Sequence, residues 1–547
     1  MSFKTTLIAI IACCINVLVC QAQDLPPTAS LVYPGTDGKL TYVADSLGNT
    51  IPDFSNAGYK GGGVPIPYVP VKATIYPVLG DNADSIQAAI DRVSALPPDA
   101  SGFRGAVLLK MGMYQLDKPI YIRASGVVLR GEGRSDVGTI LFGKIPKPPT
   151  EEESRQRFRR RPALINIEGP SGVKVVEDSK QVITNEYVPV GAKSFTVAST
   201  KAFKKGDKIL VRRIGNEDWI KTIGLDTATV GRNRWRPFDI NFDRIIVNIN
   251  GNTITVDAPI FTAIDKRWGG GEVYKYEDER IEQVGIENLR GISEYDPSVR
   301  TKDYGNMDRD DLGANHRYQG DEYFSDENHY SNFIDLTNVK NAWVRNMSAL
   351  HFGSSVIQAN AGTKWITVQD CDSREPVSQR WGGRRFTFQM NGQFILVQRC
   401  VSQKGRHSFV LQGSEASGNV FLECEAIHPY SSSEPHNRWA NGVLYDNVKA
   451  PLTARFWDYI IGWAGANIVF WNCEGDYLIQ RPPTAQNYSF GHIGVNAVIF
   501  NAALQDLTKP NGHVESMDRH VTPKSLYLTQ LKERLGEQAI KNITHGN

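Results

Sequence analysis

Residues 395–424 read ILVQRCVSQKGRHSFVLQGSEASGNVFLEC, and this stretch indicates the fold of the chain. It contains two short apolar runs, 395–400 and 420–424, and each run ends in a cysteine. A mostly polar region with lysine, glycine, serine and asparagine separates the two runs. Short apolar runs bounded by such turn residues are typical of β-strands. The stretch therefore predicts a strand, a turn region and a second strand that repeats the first.

The same pattern recurs at a regular interval along the C-terminal half. Four runs end in a cysteine, namely Cys371, Cys400, Cys424 and Cys473. Successive cysteines lie 29, 24 and 49 residues apart, and 49 is close to two of the shorter steps. Three small or apolar residues fill or extend the register, namely Met347, Val448 and Ala502. A period of this size, built from short β runs and Asn/Gly turns, predicts an all-β solenoid, here a right-handed parallel β-helix.

Residues 1–22 predict a cleaved signal peptide. Lys4 precedes an apolar stretch at 7–19, and 20–22 resembles a small-residue cleavage site with a new N-terminus near Gln23. The apolar stretch is shorter than the roughly 20 residues of a membrane-spanning helix. A retained anchor or a lipid attached to Cys20 is the alternative. We therefore expect a periplasmic or secreted protein, and no later segment is apolar enough to predict a membrane span.

Charge and cysteine placement narrow the partners and the redox state. The 61 basic and 59 acidic side chains give a formal net charge of +2, so we expect no nucleic-acid partner. Export would permit disulfides between the four later cysteines. Their shared register instead favours an internal ladder of small, buried side chains that keep free thiols. Disulfide bridges remain the alternative.

Composition shifts divide the rest of the chain into four parts. The boundaries we predict are 23–165 for an N-terminal cap and first coils, 170–285 for an inserted β-rich subdomain, 286–515 for the main coils and 516–547 for a C-terminal helical cap. The proline- and charge-rich segment 144–162 predicts a solvated loop. A helix expected within 523–536 would cover the edge of the final coil.

A second block of sequence resembles a known superfamily. Residues 81–91 predict an amphipathic helix with Ile86, Ala89 and Ile90 on one face. Three apolar runs follow it, at 105–114, 120–123 and 126–133. This order is similar to the N-terminal cap and first coils of the pectate-lyase-like superfamily, which includes polysaccharide lyases, polygalacturonases and phage tailspikes. The resemblance implies the right-handed β-helix and leaves the reaction open.

The loops that follow three of the cysteine strands predict a functional groove. All three leave their strands on the same side, and stacked strands lie only about 5 Å apart. Their candidate residues therefore converge: Trp381, Arg384, Arg385, Arg406, His407, Glu434, His436, Arg438 and Trp439. Segment 325–330 adds Glu327 and His329 at the end of the groove. Arginines that pair with nearby carboxylates, and a His407 that caps a turn, are the structural alternatives.

This combination of residue types suits an anionic polysaccharide or oligosaccharide. The predicted catalytic residues are His407, His436, Arg438 and Arg385, and the predicted substrate-binding residues are Arg384, Arg406, Trp381, Trp439, His329 and Glu327. Arginine binds a uronate carboxylate through two contacts and stabilises a developing enolate. Histidine serves as base or acid. The set therefore predicts β-elimination at a uronic acid.

Cofactor signals are weak. Residues 308–311 form an acidic cluster that would suit calcium, although the spacing matches no defined calcium loop. Cysteine and histidine spacing typical of a metal site is absent from the sequence, and no phosphate-binding glycine loop stands in a supporting context. We therefore predict no cofactor, with calcium as the alternative.

Residues 284–535 also resemble an exported bacterial family of β-helix proteins. The shared motifs lie at 383–388, 405–407, 435–440 and 462–467. Some members resemble lyases of uronate-containing polysaccharides and an oligosaccharide dehydratase that removes water from a terminal uronic acid. The resemblance implies a similar substrate class here. The family pattern places a histidine before Gly-Trp-Ala-Gly, whereas this chain has Ile461, so any role of that histidine is in doubt.

Three functions follow from these observations. The leading one is an eliminating enzyme on uronate-containing glycans, either a chain-cleaving lyase or a terminal dehydratase. The second is a glycoside hydrolase of polygalacturonase type, which needs clustered carboxylates such as Asp326, Glu327 and Glu434. The third is a non-catalytic glycan-binding β-helix, for which arginine and tryptophan would suffice.

Overall fold

The body of the protein is a right-handed parallel β-helix, as the repeat predicted. The computed structural model describes residues 26–145, 163–226, 235–302, 322–380, 382–457, 461–495 and 508–544. Several predictions concern positions outside these ranges, namely the signal peptide, most of the loop at 144–162, the acidic cluster at 308–311, Trp381 and Ala502.

Strands of successive coils pair in parallel and form two sheets. The larger sheet contains Val71–Ile75, Gly105–Leu109, Gly112–Leu116, Val127–Arg130, Thr139–Gly143, Ile281–Ser293, Val339–Leu350, Lys364–Gln369, Asp372–Arg374, Leu396–Gln398, Val401–Gln403, Ser417–Leu422, Glu425–Ile427, Ala440–Asp446, Gly465–Trp471, Tyr488–Phe490 and His513–Glu515. The seven-stranded sheet contains Ile120–Ile122, Ile165–Glu168, Ile334–Thr337, Ile357–Ala359, Phe386–Met390, His407–Gln412 and Glu434–Asn437. A parallel pair, Leu452–Ala454 and Tyr477–Ile479, continues this side of the later coils.

The cysteine ladder predicted from the spacing is confirmed. Its six described members are buried in the interior of the β-helix, namely Met347, Cys371, Cys400, Cys424, Val448 and Cys473. All four cysteines are free thiols. The residue before each member has a left-handed backbone with φ between 50 and 55°, namely Asn346, Asp370, Arg399, Glu423, Asn447 and Asn472. This conformation turns the chain at one corner of every coil, and Asn447 shows that Val448 belongs to the ladder.

Three strands of the larger sheet, Ser417–Leu422, Ala440–Asp446 and Gly465–Trp471, are buried on both faces. Phe421 and Tyr445 point into the interior, whereas their neighbours Leu422 and Leu444 belong to a second apolar core on the outside. This second core, which we call the outer core, also includes Trp471. Parallel sheets that are covered on both sides read as continuous apolar runs, which explains why the strands of the ladder lack strict alternation.

Residues 173–278, here called the insertion, cover part of the outer core. They form an antiparallel sheet from Val173–Val182, Ser194–Thr196, Lys208–Arg213, Ile240–Asn250, Thr253–Val256 and Gly271–Asp278, with the pair Tyr187–Val188 and Ile264–Asp265 beside it. A short helix, Glu217–Thr222, begins at Asn216, whose side chain accepts a hydrogen bond from Trp219 N. The β-helix resumes at Ile281–Ser293, where Gly285 pairs with Val128 of an earlier coil.

Helices lie at both ends of the chain. Ala83–Ser94 is the predicted amphipathic helix, and Ile86, Ala89 and Ile90 are buried as expected. Two helices, Leu526–Leu535 and Glu537–Thr544, follow the last described strand. Shorter elements are the 3-10 turns Tyr59–Gly61 and Lys266–Trp268 and the strand pairs Val32–Pro34 with Leu40–Tyr42 and Arg300–Lys302 with Glu322–Phe324. None of the described helices is long and apolar enough to cross a membrane.

The C-terminal helices lie along the side of the β-helix and not over its last coil, which differs from the prediction. Ser525 Oγ donates to Asp446 Oδ2 at 2.7 Å, and Gln398 Nε2 donates to Ile543 O at 3.1 Å. These contacts span several coils. The physical reason is the outer core, because Leu422 and Leu444 present apolar surface that the helices cover with Leu526, Tyr527 and Leu531.

The ladder predicts the reactivity of the thiols. Burial raises the pKa of Cys371 and Cys400 well above its usual value, so neither forms the thiolate that alkylation needs. We expect a maleimide to leave all four ladder cysteines unmodified in the native protein and to label them after denaturation, as measured by peptide mass spectrometry. Labelling of Cys400 in the folded protein would contradict its place in the interior.

Candidate active site

Two neighbouring strands of the seven-stranded sheet bring a carboxylate and two imidazoles together. We call His407, Glu434 and His436 the histidine site. Glu434 Oε1 lies 2.7 Å from His436 Nδ1 and 3.3 Å from His407 Nδ1. Glu434 and His436 are two residues apart on one strand, so their side chains project from the same face. His407 begins the adjacent strand, and its ring centre is 4.8 Å from that of His436.

Glu434 is an ionised carboxylate at the centre of this cluster. Its side chain is fully buried, and Oε2 accepts hydrogen bonds from Ser432 Oγ at 2.9 Å and Thr453 Oγ1 at 2.6 Å. Burial alone would raise its pKa, but the electrostatic interactions with His407, His436 and Arg455 and the hydrogen bond from His436 lower the pKa below its usual value. The carboxylate therefore accepts hydrogen bonds from both sides.

His407 is held as a neutral imidazole inside the protein. Its Nδ1 lies 2.7 Å from Ser432 O, a pure acceptor, so Nδ1 carries the proton. Nε2 is buried and has no hydrogen-bond partner among the described residues. Burial lowers the pKa of His407 well below its usual value, although Glu434 opposes that shift. His407 therefore supports the cluster and has no direct access to a substrate.

His436 is the member of the site that reaches solvent. Its side chain is 11% exposed, whereas those of His407 and Glu434 are 0% exposed. Because Nδ1 donates to the Glu434 carboxylate, Nε2 is the unprotonated nitrogen that can take up a proton. The rings of Phe386 and Trp457 flank the imidazole at 5.0 and 5.5 Å between centres. The arrangement is that of a histidine base oriented by a buried carboxylate.

A cleft of 510 Å³ is lined by basic and aromatic side chains that precede the strands of the histidine site in sequence, and none of His407, Glu434 and His436 lines it. We call it the basic cleft, and the lining residues on which the argument depends are Tyr323, Arg380, Arg385, Lys404 and Tyr430. The Arg380 guanidinium lies between two rings, 3.9 Å from the centre of Tyr323 and 4.2 Å from that of Tyr430. Arg385 is followed by Phe386, whose ring contacts both imidazoles of the histidine site. The cleft and the histidine site are therefore connected through the Arg385–Phe386 segment.

Two predicted substrate ligands bind each other. Arg384 Nε donates to both carboxylate oxygens of Glu327, at 3.0 and 2.9 Å. Glu327 also accepts a hydrogen bond from Gln379 N at 3.0 Å. The pair joins the segment around 327 to the loop that leads into Phe386–Met390. Arg438 stands apart, exposed at the turn after Glu434–Asn437, where its φ is 56°.

The predicted sugar platform at Trp439 is wrong. Trp439 is 0% exposed and belongs to the outer core. Its ring meets that of Trp219 edge-on, with 5.1 Å between centres. Trp219 comes from the insertion, so Trp439 packs the insertion against the β-helix. Trp463, expected to pack at a corner, is likewise buried, and its Nε1 donates to Ile223 O at 3.1 Å.

Two further substrate-binding predictions are also wrong. His329 is buried, with Nδ1 2.9 Å from Ser293 Oγ and Nε2 2.8 Å from Val377 O. Its ring is therefore held on both sides by the protein. Arg406 is 1% exposed, and its Nη1 donates to Gly382 O at 2.5 Å. Arg406 positions the loop before Phe386–Met390 and has no surface for a glycan.

Sequence reasoning missed the residues contributed by the next coil. Thr453 binds Glu434, and Arg455 stacks on Trp457 with 3.6 Å from its guanidinium carbon to the ring centre. Thr453, Arg455 and Trp457 are every second residue along the chain, as residues on one face of a strand are. These residues follow Glu434 and His436 by about one short coil, and this spacing could have predicted that they lie next to the histidine site. From the sequence, Glu434 is predicted only as a groove residue and a carboxylate for hydrolysis.

The histidine site also contains a donor set that would suit a metal ion. One ligand atom from each of His407, Glu434 and His436 lies within 4.8 Å of the others. Two imidazoles and one carboxylate suit zinc, iron or manganese, whereas calcium prefers six to eight oxygens. The Nδ1 proton that His436 donates to Glu434 fits the metal-free arrangement instead. The absence of a cofactor stays a prediction.

Comparison with known proteins supplies no family. No protein-family model and no curated protein matches the chain. Among solved structures, the tailspike protein gp49 from Pseudomonas phage LKA1 has a TM-score of 0.32 at 12% identity, over 76% of this chain and 69% of that one. An endo-xylogalacturonan hydrolase from Aspergillus tubingensis has a TM-score of 0.33 at 9% identity, over 82% of this chain and 100% of that one. The catalytic domain of an α-1,3-glucanase has a TM-score of 0.36 at 11% identity, over 85% of this chain and 68% of that one. At these values the likenesses carry no argument about reaction or substrate.

The buried state of His407 predicts an acid-sensitive fold. Its folded pKa is lowered, so between pH 7 and 5 the unfolded chain takes up a proton that the folded protein does not. The free energy of unfolding therefore falls as the pH falls, by at most about 1.4 kcal/mol per pH unit for this group. The lowered pKa of Glu434 changes the free energy of unfolding only at lower pH, where carboxylates take up protons. We expect urea denaturation of His407→Gln to show a weaker pH dependence than the wild type.

The exposed His428 provides the matched control. His428→Gln should retain the wild-type dependence on pH, because it leaves the buried imidazole of His407 in place. Equal slopes for His407→Gln and the wild type would contradict the neutral, buried imidazole.

Proposed function

We propose that the protein is a carbohydrate-active enzyme that catalyses β-elimination at a uronic acid residue of a poly- or oligosaccharide. The observation that carries the proposal is His436, an accessible imidazole whose Nδ1 is 2.7 Å from a fully buried, ionised Glu434. A histidine oriented in this way is suited to remove a weakly acidic proton near neutral pH. The predicted signal peptide adds the proposal that this reaction takes place in the periplasm or outside the cell.

The proposed step balances without a cofactor. His436 Nε2 removes the C5 proton of the uronate, the electron pair of that C–H bond forms the C4–C5 double bond, and the C4–O bond breaks. The leaving oxygen takes up a proton from solvent or from the protonated base. The product is a 4,5-unsaturated uronate. A chain-cleaving lyase releases a sugar at this step, and a terminal dehydratase releases water.

The basic cleft supplies the charge that this chemistry needs. Removal of the C5 proton places negative charge on the uronate carboxylate, and a nearby cation lowers the energy of that enolate. Lys404 is the exposed cation of the cleft, whereas Arg385 is 3% exposed and its Nη2 donates to Ser378 O at 2.7 Å. Arg455 is 2% exposed and stacks on Trp457.

A hydrolase of polygalacturonase type is less well supported by the side chains. Such an enzyme needs two carboxyl groups that face the substrate, about 5–10 Å apart. Glu434 is buried and hydrogen-bonded to two hydroxyl groups and His436. Glu327 is paired with Arg384. Asp326 is 3% exposed and accepts hydrogen bonds from the backbone of 296 and 328. The carboxylates considered for hydrolysis are thus occupied.

The activity test uses fragments of ulvan, alginate, pectate and glycosaminoglycans. We expect new ultraviolet absorbance from the unsaturated product, with chain shortening for a lyase or loss of water for a dehydratase in the mass spectrum. His436→Ala should lower kcat by about 10²-fold or more because the base is lost. Glu434→Gln should lower it by a similar factor, about 10², because the imidazole loses its ionised partner.

His428→Ala is the control, since it removes an exposed histidine from the loop before the site and should leave kcat unchanged. A mass gain of one water without absorbance would establish the hydrolase instead. No change in any glycan would leave binding as the function. Full eliminating activity of His436→Ala would contradict the assignment of the base.

Metal removal tests the donor set in the histidine site. Since the proposed base works through a hydrogen bond between His436 and Glu434, we expect eliminating activity to survive dialysis against EDTA. Loss of activity that zinc or manganese restores would show instead that His407, Glu434 and His436 bind a metal. Restoration by calcium alone would point to a site elsewhere, such as the acidic cluster at 308–311.

A further inference from the structure

Arg213 is a buried cation that lies against an aromatic ring. It ends the strand Lys208–Arg213 of the insertion and is 2% exposed. Among the described residues, its Nε and Nη1 atoms have no hydrogen-bond partner. The guanidinium carbon lies 3.6 Å from the ring centre of Trp219, so an aromatic face covers one side of the charge. A buried charge without hydrogen bonds is costly, and a bound anion would offset that cost.

Nearby carboxylates do not neutralise this charge through hydrogen bonds. Burial lowers the pKa of Arg213 to about 9, while Asp239 and Asp265 raise it, so the side chain stays protonated at neutral pH. Asp265 is engaged by Arg267, whose Nε lies 3.1 and 3.0 Å from its two oxygens. Asp239 lies 3.9 Å from Nε of Arg212. Arg213 is thus a positive group that Asp239 and Asp265 attract without a hydrogen bond to it among the described residues.

Arg213 lines a cleft of 510 Å³ between the insertion and the later coils. We call it the junction cleft, and its other lining residues used here are Thr262, Trp268, Arg481 and Tyr488. Thr262 Oγ1 is a second buried polar atom that has no hydrogen-bond partner among the described residues. Two buried polar side chains without partners therefore meet in one cleft. The histidine site and the basic cleft share no lining residue with it.

We propose that the junction cleft is a second saccharide site, which binds the carboxylate of a sugar acid. The Arg213 side chain lines the cleft, where its guanidinium would bind the carboxylate next to the Thr262 hydroxyl. Arg481 is exposed at the rim and adds a second positive charge. The rings of Trp268 and Tyr488 line the walls and are suited to stack on a sugar.

The size and charge of the junction cleft favour a singly charged sugar over a phosphate. Its volume lies within the range of about 300–1,000 Å³ that is usual for small-ligand sites. Asp45 and Asp265 also line the cleft, so a doubly charged phosphate would meet repulsion. Their carboxylates would instead accept hydrogen bonds from sugar hydroxyl groups. This inference does not depend on the reaction proposed for the histidine site.

Calorimetric titration with galacturonate, galactose and acetate tests the proposal on the intact protein. We expect galacturonate to bind, and galactose and acetate to bind much more weakly, since each lacks one half of the recognised group. Arg213→Met should weaken binding of galacturonate by about tenfold or more, because a charge-assisted contact is lost. Arg481→Gln, which changes an exposed side chain, should weaken it less. Arg92→Gln, on the exposed face of Ala83–Ser94, is the control and should bind as the wild type.

Thermal denaturation keeps the test informative about folding. Because Met fills a similar space without a desolvated charge, Arg213→Met should melt no lower than the wild type without ligand. It should also lose the rise in melting temperature that galacturonate gives the wild type.

His436→Ala should still bind galacturonate and show the rise in melting temperature that galacturonate causes. This result would separate the junction cleft from the histidine site. Equal binding by the wild type and Arg213→Met, loss of binding in His436→Ala, or equal affinity for acetate would each overturn the proposal.

Discussion

Parallel hydrogen bonding between successive coils is the constraint on which the rest of the structure depends. It sets equivalent residues of neighbouring coils about 4.8 Å apart, so side chains far apart in sequence become neighbours in space. Inside the β-helix this produces the column of Cys371, Cys400 and Cys424. At the edge of the seven-stranded sheet it pairs the strand that His407 begins with the strand of Glu434 and His436, in a register that sets Val410 opposite Glu434. The same rule builds the core and assembles the histidine site.

The interior of the β-helix could be predicted because its constraint is local and repetitive. Each coil needs a small or apolar residue after a corner with positive φ, and asparagine tolerates that conformation well. Asn447 and Val448 satisfy this requirement even though no cysteine marks the coil. The two histidines could be placed near each other from the same register. The role of Glu434 could not, because its charge depends on how His407, His436 and Arg455 surround it.

The outer core explains most of what the sequence could not predict. Trp439, Trp219 and Tyr527 come from the β-helix, the insertion and the C-terminal helix, and they are buried in one cluster. Nothing in the local pattern around Trp439 distinguishes a ring that packs against another domain from one that faces a glycan. The same docking places the C-terminal helices along the side of the coils. Predictions of exposed aromatic residues therefore failed where a second layer covers the β-helix.

The insertion also has a consequence for the order in which the chain folds. Val128 and Gly285 are partners in one sheet, yet the whole insertion lies between them in sequence. At a synthesis rate of about 5–20 residues per second, the edge at Val127–Arg130 stays unpaired for roughly ten seconds or more before Ile281–Ser293 follows. Unpaired strand edges are prone to aggregation. Vectorial emergence of the polypeptide thus makes the early coils a vulnerable intermediate, one that a chaperone or a secretion machinery would have to protect.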